Sequence, residues 1–243
     1  MPVRHRKLRM LRQTGLIAAH RRSDFSDRIL ATILAAIAGC ANAGGFILLG
    51  SYTSHMTGYL SQLADQVALQ NLALAMKSVL AIGLFVSGAA TSAFLINWAR
   101  RHARARQYTL PIGLQGALFV VLAAVGALNL STPVSTHLGL GLIAFIMGLQ
   151  NATITKLSGA RIRTTHATGM ITDVGIELGR AAYGAAYADP DLHVDRRKLS
   201  ILTQLLGTFL IGGVIGAFGY GHFGYSFSLP LAAILLTLAL IRR

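Results

Sequence analysis

Two short polar stretches of the chain carry a histidine, a threonine and a glycine in the same order. Residues 54–58 read SHMTG, and residues 165–169, at an offset of 111, read THATG. The likeness continues for five residues past each glycine, in the pattern any-aliphatic-hydroxyl-polar-aliphatic. This doubling of polar types marks both stretches as candidate functional residues.

The residue types of these stretches predict a binding site for an anionic group at two helix starts. A threonine hydroxyl accepts hydrogen bonds from backbone N–H groups two or three residues on, so Thr57 and Thr168 are the predicted N-caps. Gly58 and Gly169 leave each helix start uncovered, and free N–H groups there favour negative charge. The histidines could exchange a proton near neutral pH.

Other polar side chains complete the candidate site. Asparagines before each stretch could supply amide contacts to a polar substrate. Asp173, Glu177 and Arg180 follow the second stretch at helical spacings of four and three, which suits ion pairing or a proton or charge relay. The predicted substrate-binding residues are Asn42, Ser54, His55, Thr57, Gly58, Asn151, Thr165, His166, Thr168 and Gly169.

Each of these features also has a purely structural interpretation. The threonine–glycine pairs can cap broken helices and do nothing else, and the histidines can donate to a nearby carbonyl without titrating. Asp173 and Glu177 can lie at the cytoplasmic surface, paired with Arg180. The recurrence of polar types in order favours a functional role, although duplication also preserves shared residues.

The elements that position these residues are long segments without charged side chains. Only 12% of residues are charged and 53% are hydrophobic, about half the usual share of charge. Since a membrane-spanning helix needs about 20 apolar residues, the charge-free runs predict six spans. They cover about 29–49, 78–98, 109–130, 137–155, 199–219 and 227–241, and two shorter segments, 57–71 and 168–187, follow the polar stretches.

The basic residues predict the orientation of these spans. With six spans, all of the 22 Lys and Arg except Lys77 lie on the cytoplasmic side, whereas eight spans would place the cluster at 100–106 outside. We therefore expect a bacterial inner-membrane protein with a basic cytoplasmic tail (1–23), one membrane domain (24–243) and both termini cytoplasmic. The net charge of +14 sets topology and does not indicate nucleic acid.

A second likeness between the two halves extends the repeat. The pattern G-x-F-x-x-G-x4-A-F begins at Gly83 and again at Gly207, an offset of 124, and the Asn-Ala pair at 42–43 recurs at 151–152, an offset of 109. Each half, about 29–130 and 137–241, holds three spans. Because this number is odd, the two halves have opposite orientations in the membrane. The predicted fold is all-α, with six transmembrane helices in two inverted three-span repeats, each with an extra short half-helix. Such repeats are typical of secondary transporters.

The second stretch also carries a family resemblance. Residues 163–175 (RTTHATGMITDVG) resemble the R-T-T-x-x-T-G-x-x-T-D-x-G segment of YoaK-like bacterial membrane proteins. Residues 56–58 resemble that family's M-T-G-N segment, with Tyr59 in place of the asparagine, and residues 39–50 resemble its first span. The resemblance covers about 28–241 and implies a polytopic inner-membrane protein with no assigned substrate.

The sequence thus predicts a transporter or channel for a small anion or weak acid. It is not expected to be an enzyme or to need a cofactor or metal, because His55, His166 and Cys40 fit no zinc spacing and no Gly-x-Ser-x-Gly elbow is present. The alternative is a scaffold or sensor whose basic cytoplasmic face binds a partner or anionic lipid. A homodimer could pack through Gly212 and Gly216.

Overall fold

The computed structural model of the protein describes residues 24–128, 131–157, 167–187 and 194–240. All regular elements in these ranges are helical. The α-helices are α1 (Asp24–Leu49), α2 (Met56–Ala68), α3 (Leu72–His102), α4 (Thr109–Ala127), α5 (Thr132–Leu157), α6 (Ala167–Tyr187), α7 (Arg196–Phe223) and α8 (Ser228–Leu240). Short 3-10 turns at Arg104–Arg106 and Gly224–Phe227 lead into α4 and α8. The basic tail, residues 1–23, lies outside the described residues.

Five ranges are long and apolar enough to cross a membrane, so the chain is a multi-pass membrane protein. They are Arg28–Leu49, Leu72–His102, Thr109–Ala127, Thr132–Leu157 and Arg196–Leu240. The fifth is 45 residues long and breaks at Gly224, whose φ of +55° ends α7. The last two predicted spans both fall within this range, on α7 and on the 13-residue α8, and each of the other four predicted spans falls largely on a helix.

The second predicted span is longer than the sequence indicates. Helix α3 begins at Leu72, six residues before the predicted start at Ser78, because the Asn71 side chain caps it by accepting from the Leu74 N–H at 3.3 Å. Its 31 residues extend about 46 Å, which exceeds the hydrocarbon core of a bilayer. Lys77 therefore lies within the first turns of a helix and not in a loop.

The most extensive helix pairing is between α1 and α7, and glycines bring the two backbones together. A Cβ built on Gly39 would overlap the carbonyl oxygen of Phe209 on α7, and one built on Gly212 would overlap that of Ala36 on α1. Helices in lipid pack through small residues because these let backbones approach closely. A side chain at either glycine would push the two helices apart.

Helices α3 and α5 cross in the same way, through corresponding residues. A Cβ on Gly88 would overlap the carbonyl oxygen of Phe145, and one on Gly148 would overlap that of Phe85. Gly39 and Gly148 are separated by the offset of 109, and Gly88 and Gly212 by the offset of 124. These four glycines, related by the offsets of the sequence repeat, therefore make equivalent contacts in two different helix pairs.

The predicted dimer face at Gly212 and Gly216 is wrong, because both glycines pack inside the chain. A Cβ on Gly216 would overlap the carbonyl oxygen of Cys40 on α1, next to the contact between Gly212 and Ala36. Both glycines are buried. This surface of α7 is therefore used by α1 and is not free for a second copy.

The remaining helices complete the bundle around these two pairs. Helix α4 packs along α8, and α5 also contacts α1 and α4. The helices that follow the polar stretches pack at the side of longer ones, α2 against α3 and α6 against α7. With 21 residues α6 is longer than α4, so it is not the short half-helix that the sequence predicts.

Candidate functional site

The first polar stretch folds back along α1. Gly50, with a φ of +65°, ends the helix, and Thr53 then packs against Gly45. Asn42 accepts hydrogen bonds from both the backbone N–H of Ser54, at 3.1 Å, and its hydroxyl, at 2.8 Å. Asn42 lies seven residues before Leu49, about 10 Å down the helix axis. The structure thus brings together two predicted site residues that are 12 positions apart.

The start of α2 differs from the prediction. Helical hydrogen bonding begins on His55, whose carbonyl accepts from the Tyr59 N–H at 3.2 Å, so His55 and not Thr57 is the N-cap. No side chain caps the helix, and Thr57 lies exposed in its first turn. The Gly58 backbone is also not uncovered, since a Cβ there would overlap the imidazole of His55. The predictions of Thr57 as a cap and Gly58 as an open approach are therefore wrong.

The second polar stretch is described only from Ala167 onward, and Thr165 and His166 lie outside the described residues. Thr168 is already part of α6, where its carbonyl accepts from the Thr172 hydroxyl at 2.9 Å, so it is not an N-cap. Gly169 is exposed, and a Cβ there would meet no atom of the described residues within 4 Å. Asn151 lies in the last turns of α5 and already has an interaction partner.

A charged cluster joins α6 to α7. Glu177 is fully buried; its Oε1 lies 3.1 Å from Arg180 Nη1 and 3.6 Å from Lys198 Nζ. Its Oε2 accepts from the backbone N–H of Asp195 at 3.2 Å. Lys198 also lies 3.4 Å from Asp173 Oδ1. The predicted pairing of Glu177 with Arg180 is confirmed, and Glu177 is not a surface residue.

Lys198 was missed because it lies 21 residues beyond Glu177, past a loop whose path the sequence does not indicate. It sits in the first turn of α7, where the Asp195 carboxylate accepts from its backbone N–H at 2.9 Å. That cap fixes the direction of the Lys198 side chain toward α6. The lysine therefore links the two carboxylates that the sequence analysis placed on one helix face.

Two buried glutamines form a polar contact in the bundle core that was also missed. The Gln115 amide donates to Gln150 Oε1, and Gln150 Nε2 donates to the Leu34 carbonyl at 2.5 Å. Gln115 is 1% exposed and Gln150 is 0% exposed. The contact ties α4, α5 and α1 together. An amide within a charge-free apolar run was the available signal, because burying such a group without a partner is costly.

A groove opens between the starts of α1 and α7. Arg28 Nε donates to Gln204 Oε1 at 2.5 Å, and Arg28 Nη2 donates to the Ser200 hydroxyl at 3.1 Å. Gln204 also donates to the Thr32 hydroxyl at 2.8 Å. The groove holds about 370 Å³ and is lined by Arg28, Ile29, Thr32, Ile33 and Gln204. A cation thus sits beside an otherwise mainly apolar surface.

A bundle of long apolar helices with buried amides, a buried carboxylate and a folded-back polar loop defines a polytopic α-helical membrane protein. The chain belongs to the family described as protein of unknown function (DUF1275), whose model matches residues 30–241. This match confirms the resemblance to YoaK-like membrane proteins. No curated protein and no solved structure matches the chain. Over the described ranges, no group of three or more His, Cys, Asp or Glu side chains is placed to hold a metal ion.

Proposed function

We propose that the protein is a small bacterial inner-membrane transporter or channel that moves a small anion or weak acid between two inverted halves. The observation that carries the proposal is the pair of crossings α1–α7 and α3–α5. Four glycines at equivalent positions make equivalent backbone contacts in them. Two related halves packed about a pseudo-two-fold axis would produce this reciprocity, and in secondary transporters such halves enclose the substrate site where they meet.

In this proposal residues 24–243 form one membrane domain with six spans. Helices α1, α3 and α4 make the first half, and α5, α7 and α8 make the second, with α7 and α8 separated by the break at Gly224. Three spans in each half give the halves opposite orientations. The placement of Lys and Arg then puts both termini in the cytoplasm, so the first polar stretch faces outward and the second faces the cytoplasm.

The folded-back loop supports a polar pathway along the first half. Non-helical backbone at membrane depth is tolerated only where it is buried in protein or lines a water-filled cavity. The stretch from Gly50 to His55 returns along α1 as far as Asn42. We infer that Asn42 positions this loop, and that Ser54, His55 and the uncapped start of α2 face the substrate.

On the other side, the charged cluster at Glu177 would move charge or protons. Glu177 is buried while Asp173 and Lys198 are 43% and 39% exposed. Lys198 lies within 4 Å of both carboxylates. Ionisable residues inside membrane proteins usually mark ion pathways or proton relays. We assign the relay to Asp173, Glu177 and Arg180, as the sequence predicts, with Lys198 as the bridge.

Flux through purified protein in liposomes tests the proposal. Chloride, nitrate, formate and acetate are offered in turn, and we expect at least one to move faster than in empty vesicles. His55→Gln and His166→Gln should slow that flux. His222→Gln is the matched control, because His222 lies exposed and bonds the carbonyl of Phe218 in its own helix. If no anion moves and both histidine variants behave as wild type in cells, the proposal is rejected.

Thiol labelling tests the inverted arrangement separately. Single cysteines are introduced by Ser54→Cys and by Thr165→Cys in a Cys40→Ala background. We expect Ser54→Cys to react with an impermeant reagent from outside and Thr165→Cys to react only from the cytoplasmic side. Labelling of both variants from one side would remove the basis for inverted halves.

A second candidate function, a scaffold or sensor that binds anionic lipid, is favoured by the groove beside Arg28. A phosphate would meet the Arg28 guanidinium and the Ser200 hydroxyl, with an acyl chain along Ile29 and Ile33. Native mass spectrometry should detect retained phosphatidylglycerol that Arg28→Gln loses and the exposed control Arg101→Gln keeps. Deletion of residues 1–22 should abolish cellular function under this alternative and only mildly affect a transporter.

A further inference from the structure

Lys77 has no acidic partner among the described residues. Its ammonium group lies 3.3 Å from the Ser51 hydroxyl in the loop that folds back along α1. The ion pairs of the described residues join carboxylates of α6 to Arg180 and Lys198, and none includes Lys77. Lys77 is only half-buried, and it is the cation that the proposed topology leaves on the outer side. Its charge is therefore available to a ligand at this loop.

Two hydroxyls beside the first polar stretch are buried with few or no hydrogen-bond partners. Thr53 is 0% exposed and Tyr59 is 3% exposed; over the described residues Thr53 Oγ1 has no partner, and the Tyr59 hydroxyl has none beyond the Ser51 side chain. Buried polar groups are hydrogen-bonded in the great majority of cases, and an exception needs an explanation. The groups belong to the folded-back loop and to the first turn of α2, so both lie at the first polar stretch.

The lysine and the Tyr59 hydroxyl meet at Ser51. The Ser51 hydroxyl accepts from Lys77 at 3.3 Å, and a hydrogen bond with the Ser51 side chain partly opposes the burial that raises the pKa of Tyr59. Thr53 Oγ1, two residues along the loop, and the Ser51 carbonyl both lie against Gly45 on α1. One ammonium group and two hydroxyls thus lie together, with the Thr53 hydroxyl in the same loop.

The chemistry of this group suits an anion. An ammonium group donates only, and each hydroxyl has a proton to give. The adjacent start of α2 has no side-chain cap and no acidic residue in its first turn, so its partial positive charge is not neutralised. We propose that Lys77, Ser51, Thr53 and Tyr59 form the outer binding site for a small anion of chloride or monocarboxylate size. This site rests on the proposed function and names its substrate class.

Thermal unfolding of the purified full chain in neutral-lipid nanodiscs tests the site. Chloride, nitrate, formate and acetate are each titrated against gluconate at constant ionic strength. We expect the wild-type midpoint to rise with one or more of them, because a ligand that binds the native state stabilises it. Lys77→Gln should weaken the apparent affinity about 10-fold or more, through loss of a charge-assisted hydrogen bond. The exposed control Lys156→Gln should retain it.

Tyr59→Phe and Thr53→Val separate ligand binding from folding. Thr53→Val removes a hydroxyl without a partner among the described residues, and Tyr59→Phe removes one that has none beyond Ser51, itself bound to Lys77. In gluconate both variants should therefore unfold close to the wild-type temperature. Both should lose the stabilisation by anion. A variant that is clearly less stable in gluconate would show that its hydroxyl is already satisfied, which would overturn the proposal. So would a wild-type midpoint that no anion raises, or a loss of affinity shared by Lys156→Gln.

Flux measurements distinguish failure of this site from failure of the transport proposal. Anion-dependent stability without flux would reject transport and keep the site. Flux whose dependence on anion concentration is unchanged in Lys77→Gln would reject the site and keep transport.

Discussion

The two polar stretches lead into helices, α2 and α6, that are anchored by different kinds of interaction. The first is held by neutral groups: Asn42 binds Ser54 twice, and Gln62 on α2 accepts from the buried Ser78 hydroxyl on α3 at 3.2 Å. The second is held by charge, with Glu177 buried between Arg180 and Lys198. Nearly the same residue pattern therefore starts two helices that differ in what fixes them to the bundle.

This difference suggests a division of roles between the two ends. Neutral hydrogen bonds hold a geometry that changes little with pH or salt, whereas partly exposed ion pairs weaken as salt screens them. The first stretch is thus suited to a fixed binding site, and α6 is suited to an element whose position responds to charge. Substitutions at corresponding anchors should separate the two.

The largest effect is expected from Glu177→Ala. It leaves Lys198 with only Asp173 and removes the acceptor of the Asp195 N–H. Because both cationic partners are partly exposed, we expect a loss of about 1–3 kcal/mol in the docking of α6, less than for a fully buried ion pair. Limited proteolysis in the 157–196 region should become faster.

Glu177→Gln is the matched control, since it keeps an acceptor for the Asp195 N–H. It should be protected better than Glu177→Ala and should respond less to salt than wild type, because, of the described ion pairs, only that between Asp173 and Lys198 then joins α6 to α7. Equal proteolysis rates for wild type and Glu177→Ala would mean that the charges do not hold α6.

A smaller loss is expected from Asn42→Ala at the first stretch. The change removes the acceptor of two hydrogen bonds from Ser54, which should cost about 1–2 kcal/mol. Hydrogen exchange at 50–58 should increase while exchange in α6 stays the same. Asn97→Ala, at an exposed site on α3, should leave both regions as in wild type. An increase in α6 would contradict independent anchoring.

The smallest effects should come from alanine at the paired glycines, and they should have opposite signs. Gly169→Ala meets open space and should stabilise α6 by about 0.5–1 kcal/mol through helix propensity. Gly58→Ala must displace the His55 imidazole, so its gain in propensity should be offset or reversed. Thermal unfolding in detergent compares the two. Equal stabilisation by both would show that the imidazole moves aside freely.

The sequence predicted most of the helical framework, because the membrane imposes simple rules on it. Each apolar run without charge falls largely on a helix: α1, α3, α4, α5, α7 or α8. The same local reading failed for the caps. Where α2 starts depends on Asn42 holding Ser54, a contact 12 residues away that the identity of Thr57 does not reveal.

The candidate site was predicted only in part, for a similar reason. Asn42 with Ser54, and Glu177 with Arg180, were named and are in contact. Lys198 was not, because its approach to Glu177 depends on how α7 packs on α6. The Thr53 hydroxyl, which has no partner among the described residues, was also missed, since lack of a partner is a property of the folded environment and not of residue type.

The glycine crossings have a mechanical consequence. Interlocked side chains resist sliding because they must change rotamer, whereas at Gly39 and Gly212, and at Gly88 and Gly148, backbone lies directly on backbone. Small displacements along such a surface leave side-chain rotamers unchanged, which is how shear motions between packed helices proceed. The two crossings have the same construction, so we expect any shift of α1 on α7 to have a geometrically equivalent counterpart in α5 on α3.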